Sequence, residues 1–389
     1  MNNCGAPADD PLAYLFMVQT GPSYSTTELE PVCRLLSERF SGEIWAYGSY
    51  DADMLLGRIR LRVIRERSRY RMVTFVLFAR RVLRRALELS RARPRSLVVT
   101  SYDPFKGGLL ALRVARILGA PFVCEVNGVY GDPSNFSHVR FVLWQRLRLA
   151  QMRLLGSFVL RRADAVRILF AEQLRDFVTL PSATVVRCFF ALCHTDRFPP
   201  GPEEPIILAA GFPFMVKGVD VLVKAFCTIA SRFPAWRLVL IGHRIPEQLR
   251  ARGIKHTQIE VLPGLPQPEL ACWVSRSAII VLASRSEGMG RILIEAAAAG
   301  KCRVASRVGG IPTVVDDGRD GVLVRKEDAE GLAVALEMLI SDPGLRRRLG
   351  EAARLRAATE FSPAIYLAHF EELIRATLAK HSPAGRTVT

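Results

Sequence analysis

Apolar residues along this chain fall into short runs of five to eight, separated by longer segments whose apolar positions recur at helical spacing. Such alternation predicts an α/β fold with a mostly parallel sheet covered on both faces. In the first half, strands are expected at Leu12–Gln19, Glu43–Tyr47, Ser96–Ser101, Pro121–Val126 and Ala165–Phe170. Helices are expected at Thr27–Phe40 and Leu109–Leu118, with a Gly/Pro loop at Thr20–Ser25. In the second half, strands at Ile206–Ala210, Arg237–Ile241 and Glu260–Leu262 and a helix at Val219–Phe233 precede a buried strand, Ser277–Ser286. A helix follows at Ile292–Ala299, closed by Gly300, and the chain from Glu327 onward reads as mostly helical.

The polar, proline-rich stretch DRFPPGPEEP (Asp196–Pro205) interrupts this grammar, so the interdomain linker is placed there. The expected domains are 11–195 and 205–360, with a final helix at 361–380. A length of 389 residues, half of them hydrophobic, suits two cores of ordinary size. The start, MNNCGAPADDP, lacks the apolar region of a secretory signal, and no run approaches the ~20 apolar residues of a membrane span. Eight cysteines are scattered without a CxxC pair, which argues against a zinc or redox motif and for reduced thiols in the cytoplasm.

Charge changes the picture in the first half. The net charge of +17 is carried almost wholly by arginine, and fourteen Arg lie between Gly57 and Arg95 against Glu66 and Glu88. Within that block Met72, Val76, Ala79, Leu83 and Leu87 are expected to share one helical face, with Phe75, Val82 and Ala86 beside it and Arg81, Arg84 and Arg85 opposite. A second basic stretch, Arg140–Arg162, intersperses Arg146, Arg148 and Arg153 with Phe141, Trp144, Leu147, Leu149 and Leu154. Two readings stand for these segments: an anionic bilayer takes their apolar faces, or those faces pack on the core and leave Arg in water. Nucleic acid is set aside, because neither segment carries a reader motif or regular aromatic interleaving.

The most informative chemistry is EGMGRILIE, Glu287–Glu295, which places two carboxylates around a glycine-flanked turn opening a helix. Amides of Gly288, Met289, Gly290, Arg291 and Ile292 at the helix start suit an anion such as phosphate. Glu295, one turn in, can accept hydrogen bonds from a vicinal diol such as ribose, which leaves Glu287 to face a sugar. Upstream, AAGFPFMVKGVD (Ala209–Asp220) follows a strand and carries Gly211 and Lys217 on a loop before a helix, where an ammonium suits a diphosphate.

From Gly264 to Val324, the E-x7-E run, AAAAGK, SRVGGIPTVVDDG and GVLV occur in an order that closely resembles the retaining glycosyltransferases of family 4 (group 1). RRADAV (Arg161–Val166) and CHTDRF (Cys193–Phe198) extend the resemblance into the first half. It implies a GT-B fold, two Rossmann-like domains facing across a cleft, with the donor held by the second and the last helix crossing back to the first. It further implies a hexosyltransferase that retains anomeric configuration, with Lys217 and Glu287 at the reacting centre and Gly21, in the loop Thr20–Ser23, near the donor phosphates. Asn127 of EVNGVYGD stands where many relatives carry His, and is assigned with Gly128 to the acceptor side. No cofactor or metal is expected, because such sites neutralise diphosphate with protein groups, and Asp51-Ala-Asp53 is read as a surface loop away from the donor elements. His243 is read as a satisfied or exposed histidine.

The expected function is therefore transfer of a sugar from a nucleotide diphosphate sugar to a lipid-linked or cell-surface saccharide in polysaccharide or glycolipid biosynthesis. The expected place is the cytoplasm, peripheral to the inner face of an anionic membrane. One departure matters: the Arg usually found after the glycine is Phe212 here, so Arg291 or Arg307 must supply that charge or donor affinity falls. The alternatives are a non-catalytic GT-B protein that binds a nucleotide or a partner, and a nucleotide-sugar hydrolase or epimerase.

Overall fold

The computed structural model describes residues 10–381, apart from positions 25, 49, 67–70, 93, 95, 137–141 and 178. The amino-terminal segment to Asp9, the end of the tail, and Arg67, Arg69, Arg93, Arg95, Arg140 and Phe141 of the basic stretches lie outside the described residues.

Eight strands form the first sheet: β1 (Tyr14–Tyr24), β2 (Ser41–Gly48), β3 (Ala52–Leu56), β4 (Ile59–Arg65), β5 (Leu97–Ser101), β6 (Phe122–Glu125), β7 (Ala165–Ile168) and β8 (Val185–Cys188). Their order is β3-β4-β2-β1-β5-β6-β7-β8, parallel except for the β3–β4 hairpin. The connecting helices are α1 (Thr26–Leu36), α2 (Arg71–Ala92), α3 (Lys106–Leu118) and α4 (Val142–Leu160). Central strands such as β5 are buried along their whole length, as expected of a sheet covered on both faces. α2, α3 and the end of α4 pack on one face, over Phe16, Val18, Tyr47 and Val99. α1 packs on the other, over Leu15, Met17 and Ile44.

The second sheet has the order β11-β10-β9-β12-β13-β14 and is wholly parallel. Its elements are β9 (Glu204–Ala210), α5 (Val219–Ile229), β10 (Arg237–Ile241), α6 (Ile245–Arg250), β11 (Ile259–Leu262), α7 (Gln267–Arg276) and β12 (Ser277–Leu282). They continue with α8 (Arg291–Ala298), β13 (Cys302–Ser306), α9 (Ile311–Val314), β14 (Val322–Val324), α10 (Ala329–Ser341), α11 (Pro343–Glu360) and α12 (Pro363–His381). α12 leaves this domain and packs Leu367, Phe370, Leu373 and Ile374 into the first domain's core beside α1. Arg39–Glu371 (2.8 Å) and Arg187–Glu372 (3.1 Å) fasten it there.

Three expectations need correction. Thr20–Tyr24 of the expected loop instead end β1, which runs on to Tyr24, and Ser25 lies outside the described residues. Asp51-Ala-Asp53 leads into the edge strand β3 and is not a loop: Asp53 pairs with Arg60 across the hairpin at 2.6 Å. The alternation IRLRVIR makes β4 a strand at the start of the Arg-rich block, with apolar positions inward and Arg60 outward. On α2 the buried stripe is Phe78, Val82, Ala86 and Leu89, while Met72, Val76 and Leu87 of the expected face are exposed. The ring of Phe78 seats against Tyr47 at 4.5 Å, and that tertiary contact selects the stripe.

Candidate active site

Strand order reverses in each sheet at one point, between β9 and β12 in the second and between β1 and β5 in the first. Helices leave in opposite directions from such a point, which opens a crevice at the strands' carboxyl ends. Gly211 follows β9 and Ser284–Glu287 follows β12, so the two donor elements read from sequence meet at the second sheet's reversal.

Lys217 and Glu287, 70 residues apart, form an ion pair at 2.5 Å in a partly covered setting, with the Ser284 hydroxyl donating to the same carboxylate oxygen at 3.3 Å. Two glycines make this approach possible. Gly218, at φ +61°, follows the lysine, and a Cβ there would stand 1.9 Å from the Ala283 carbonyl oxygen. Gly211 lies against the Lys217 stem, where a Cβ would stand 3.1 Å from its Cε. Arg285, which sequence reading did not single out, fixes the loop from beneath. Its guanidinium makes two 2.8 Å bonds to Asp220 and donates to the Met215 carbonyl at 2.6 Å.

Glu287 leads into Gly288, Met289 and Gly290, and Gly290 in the left-handed region (φ 74°) turns the chain into α8. Met289 and Ile292 are core side chains, so only their backbones face the crevice turn. Arg291 is exposed at the helix start. Glu295 is buried, and desolvation holds its carboxyl above the ordinary 4.5, with the charge of Arg291 opposing the shift.

The SRVGG segment after β13 lies directly on this turn. A Cβ on Gly309 (φ +51°) would sit 1.9 Å from the Glu287 carbonyl oxygen, and one on Gly310 would sit 2.0 Å from that of Gly288. Asp320, two residues past the VDDG end of that motif, is structural, and it accepts from the Asp316 amide at 2.8 Å. Buried Arg303 meets Asp320 at 2.6 Å and donates to the carbonyls of Leu293 and Val314, and burial pushes its pKa down to about 10. Gly309→Ala should therefore displace Glu287 and remove most transfer activity; a donor-turnover assay beside a thermal melt checks this, since the fold should persist when activity is lost.

Across the crevice, a Cβ on Gly288 would lie 3.3 Å from the Asn127 carbonyl oxygen and 3.5 Å from Gly128 Cα. The structure thus brings Gly288, the residue after Glu287, against the Asn127–Gly128 loop of the other domain. The Asn127 side chain is engaged at both ends: its amide donates to the Tyr102 carbonyl at 2.9 Å, and its oxygen accepts from Arg167 at 2.8 Å. Arg167, buried and paired with Glu125 at 2.5 Å, is the residue that holds this loop and that sequence reading passed over. Gln173 adds bonds to the carbonyls of Val126 and Gly128 at 2.8 and 2.9 Å.

Gly21 lies in the last residues of β1 near the first sheet's reversal; its side of the site is represented by Thr20, whose hydroxyl donates to Asp103 at 2.8 Å. Burial holds the Asp103 carboxyl above its ordinary value, and its place before the Gly107–Gly108 pair of α3 is a signal that could have found it. Lys326 reaches Asp132 at 3.6 Å from the second domain to the first. Phe212 stands half exposed after β9, edge-on to His243 at 6.3 Å, and Arg307 is paired with Asp317 at 2.6 Å.

Residues 195–356 match the family model described as glycosyl transferases group 1. The second domain thus matches the group 1 glycosyltransferases over most of its length. Among the relatives of this chain are D-inositol 3-phosphate glycosyltransferases. That of Arthrobacter sp. is 36% identical over 281 residues, 64% of each chain, and that of Pseudarthrobacter chlorophenolicus is 36% identical over 159 residues, 39% of this chain and 38% of the relative. The match therefore spans less than two thirds of the length of either. In fold, the chain is similar to sucrose-phosphate synthase from Thermosynechococcus elongatus (TM-score 0.74, 20% identity, 96% and 97% of the two chains). It is also similar to Anabaena HepE in complex with UDP-glucose (TM-score 0.70, 16% identity, 95% and 99%). These likenesses establish the GT-B architecture.

Proposed function

We propose that the protein transfers a sugar, with retention, from a nucleotide diphosphate sugar to a saccharide acceptor, as a family 4 member. The observation that carries this reading is the Lys217–Glu287 pair at the start of α8, set against the Asn127–Gly128 loop. Departure of a nucleoside diphosphate needs positive charge at the leaving oxygen, and Lys217 with the α8 amides supplies it without a metal ion. An entering diphosphate takes over Lys217 and frees the Glu287 carboxylate to orient sugar hydroxyls. Glu295 receives the ribose diol. Phe212 offers no charge to the phosphates, which leaves Arg291 as the nearby guanidinium for that role. Gly211 and Gly21 admit the donor close to the backbone. Asn127 acts through the carbonyl and loop conformation that its anchored side chain sets.

For the acceptor, a lipid-linked saccharide reached from a cytoplasmic, peripheral position on an anionic membrane is favoured by the apolar residues exposed on α2 and α4. No helix among the described residues is long and apolar enough to cross a membrane. A second reading, a small phosphorylated polyol or sugar acceptor, is favoured by the printed names of the relatives. Turnover of UDP-, GDP- and ADP-sugars with lipid-linked and with phosphorylated soluble acceptors decides between them. Donor turnover with neither, or turnover untouched by Glu287→Ala, would overturn the transferase reading.

Glu295 carries a second test. Its carboxyl titrates higher in the folded protein than its ordinary 4.5, so the folded state holds the proton more tightly than the unfolded chain. The buried charge then costs nothing below 4.5, costs progressively more as pH rises through the window opening there, and its full amount above the raised pKa. Glu295→Gln should accordingly resist urea better than the parent near neutral pH, with the advantage vanishing on acidification, while donor affinity falls. Urea midpoints across pH with donor titrations check both.

A further inference from the structure

Helix α4 is apolar on most of its circumference, yet from Val142 to Leu155 no side chain is buried; only its last turn enters the core, through Gly156, Ser157, Val159 and Leu160. A helix of this composition is stable when something covers it. At 100° per residue, Leu143, Trp144, Leu147, Leu154 and Phe158 fall within one arc of about 100°, which Gln151 interrupts as its one polar member. They are 67%, 59%, 51%, 74% and 42% exposed. Arg146 and Arg153 border that arc on one side and Arg148 on the other, and Arg162 lies over the Phe158 ring at 3.7 Å.

The first two turns of α2 repeat the arrangement: Met72, Val73, Val76 and Leu77 are exposed, followed on the same helix by Arg80, Arg81 and Arg84. Between them α3 contributes Lys106, whose ammonium sits over Phe75 at 5.7 Å. α3 and α4 contain no acidic residue, and α2 contains one, Glu88. Helices between parallel strands begin at the strands' carboxyl edge, so all three start on the side where Asn127 meets Gly288.

Resting on the proposed lipid-linked acceptor, we infer that the α4 stripe Leu143–Trp144–Leu147–Leu154–Phe158, with the start of α2, is the surface that enters an anionic bilayer and sets the crevice beside it. A largely apolar arc bordered on both sides by guanidinium groups and free of carboxylates matches acyl chains flanked by lipid phosphates. A protein partner or second copy would need acidic groups opposite these arginines, and the helices themselves supply only Glu88.

The test is flotation of the full chain with phosphatidylcholine vesicles, with and without phosphatidylglycerol, while Trp144 emission is followed. Binding only to the anionic vesicles, with a blue shift absent in Trp144→Phe, is expected. The double variant Leu143→Glu/Leu147→Glu should weaken partitioning by at least about tenfold, since two buried leucines are lost. Its donor binding and its turnover of a detergent-dispersed acceptor should be retained. No binding to anionic vesicles, equal binding by the double variant, or a concentration-dependent dimer abolished by that variant would overturn the inference. Vesicle binding without turnover of any lipid-linked acceptor would leave the docking surface standing and remove the acceptor reading on its own.

Discussion

Lys217→Ala is expected to lower kcat/KM for glycosyl transfer by about 10²–10³-fold, the effect of removing one preorganised charge from a leaving group. The ammonium lies 2.5 Å from Glu287 and is held by a loop with little freedom. Gly218 allows that loop to touch Ala283, and Arg285 ties Met215 to Asp220. Lys217→Arg should restore only part of the loss, because the planar guanidinium is larger than the space between Gly211 and the carboxylate and presents its charge differently. Steady-state kinetics with the donor identified by binding, together with a thermal melt, check this outcome. A lysine that serves only as a structural partner of Glu287 would instead lower the melting temperature and leave kcat/KM within a few-fold of the parent.

Much of the second domain is legible along the chain because its strands are continuous apolar runs. AIIVL in β12 and RLVLI in β10 can be nothing but buried strands between polar turns, and Gly290 and Gly300 mark the ends of α8. In the first domain charge conceals period. The β4 run IRLRVIR alternates as a strand should, but it shares its arginines with the helix that follows, so the two read as one basic block. α2 carries two apolar stripes, and no property of the helix alone decides which one packs. The contact of Phe78 with Tyr47 does so from another element. At the site, residue types at helix starts and strand ends announce Lys217, Glu287 and Glu295. The anchors Arg167 and Arg285 are invisible at that stage, because each acts on a loop distant in sequence, as Arg167 does on Asn127 across 40 positions.

Arg167→Met should destabilise the protein by ~3–5 kcal/mol, the cost of stranding a buried carboxylate. Glu125 is 3% exposed and Arg167 1%, so neither charge has water to fall back on. Burial opposes the guanidinium's charge, and the Glu125 carboxylate together with the Tyr366 and Tyr102 side chains outweighs it, so the guanidinium's pKa is raised. Urea denaturation gives the stability change directly. Replacing both partners, Glu125→Leu with Arg167→Met, removes the stranded charge and should recover most of the stability. The double variant still lacks the 2.8 Å bond to the Asn127 oxygen, leaving the amide held only at Tyr102. Activity should therefore stay low while stability returns, because the carbonyl of Asn127 faces Gly288 only when its loop is fixed from both ends. Recovery of stability and activity together would show that Arg167 serves the core alone and that Gln173 suffices to hold the loop.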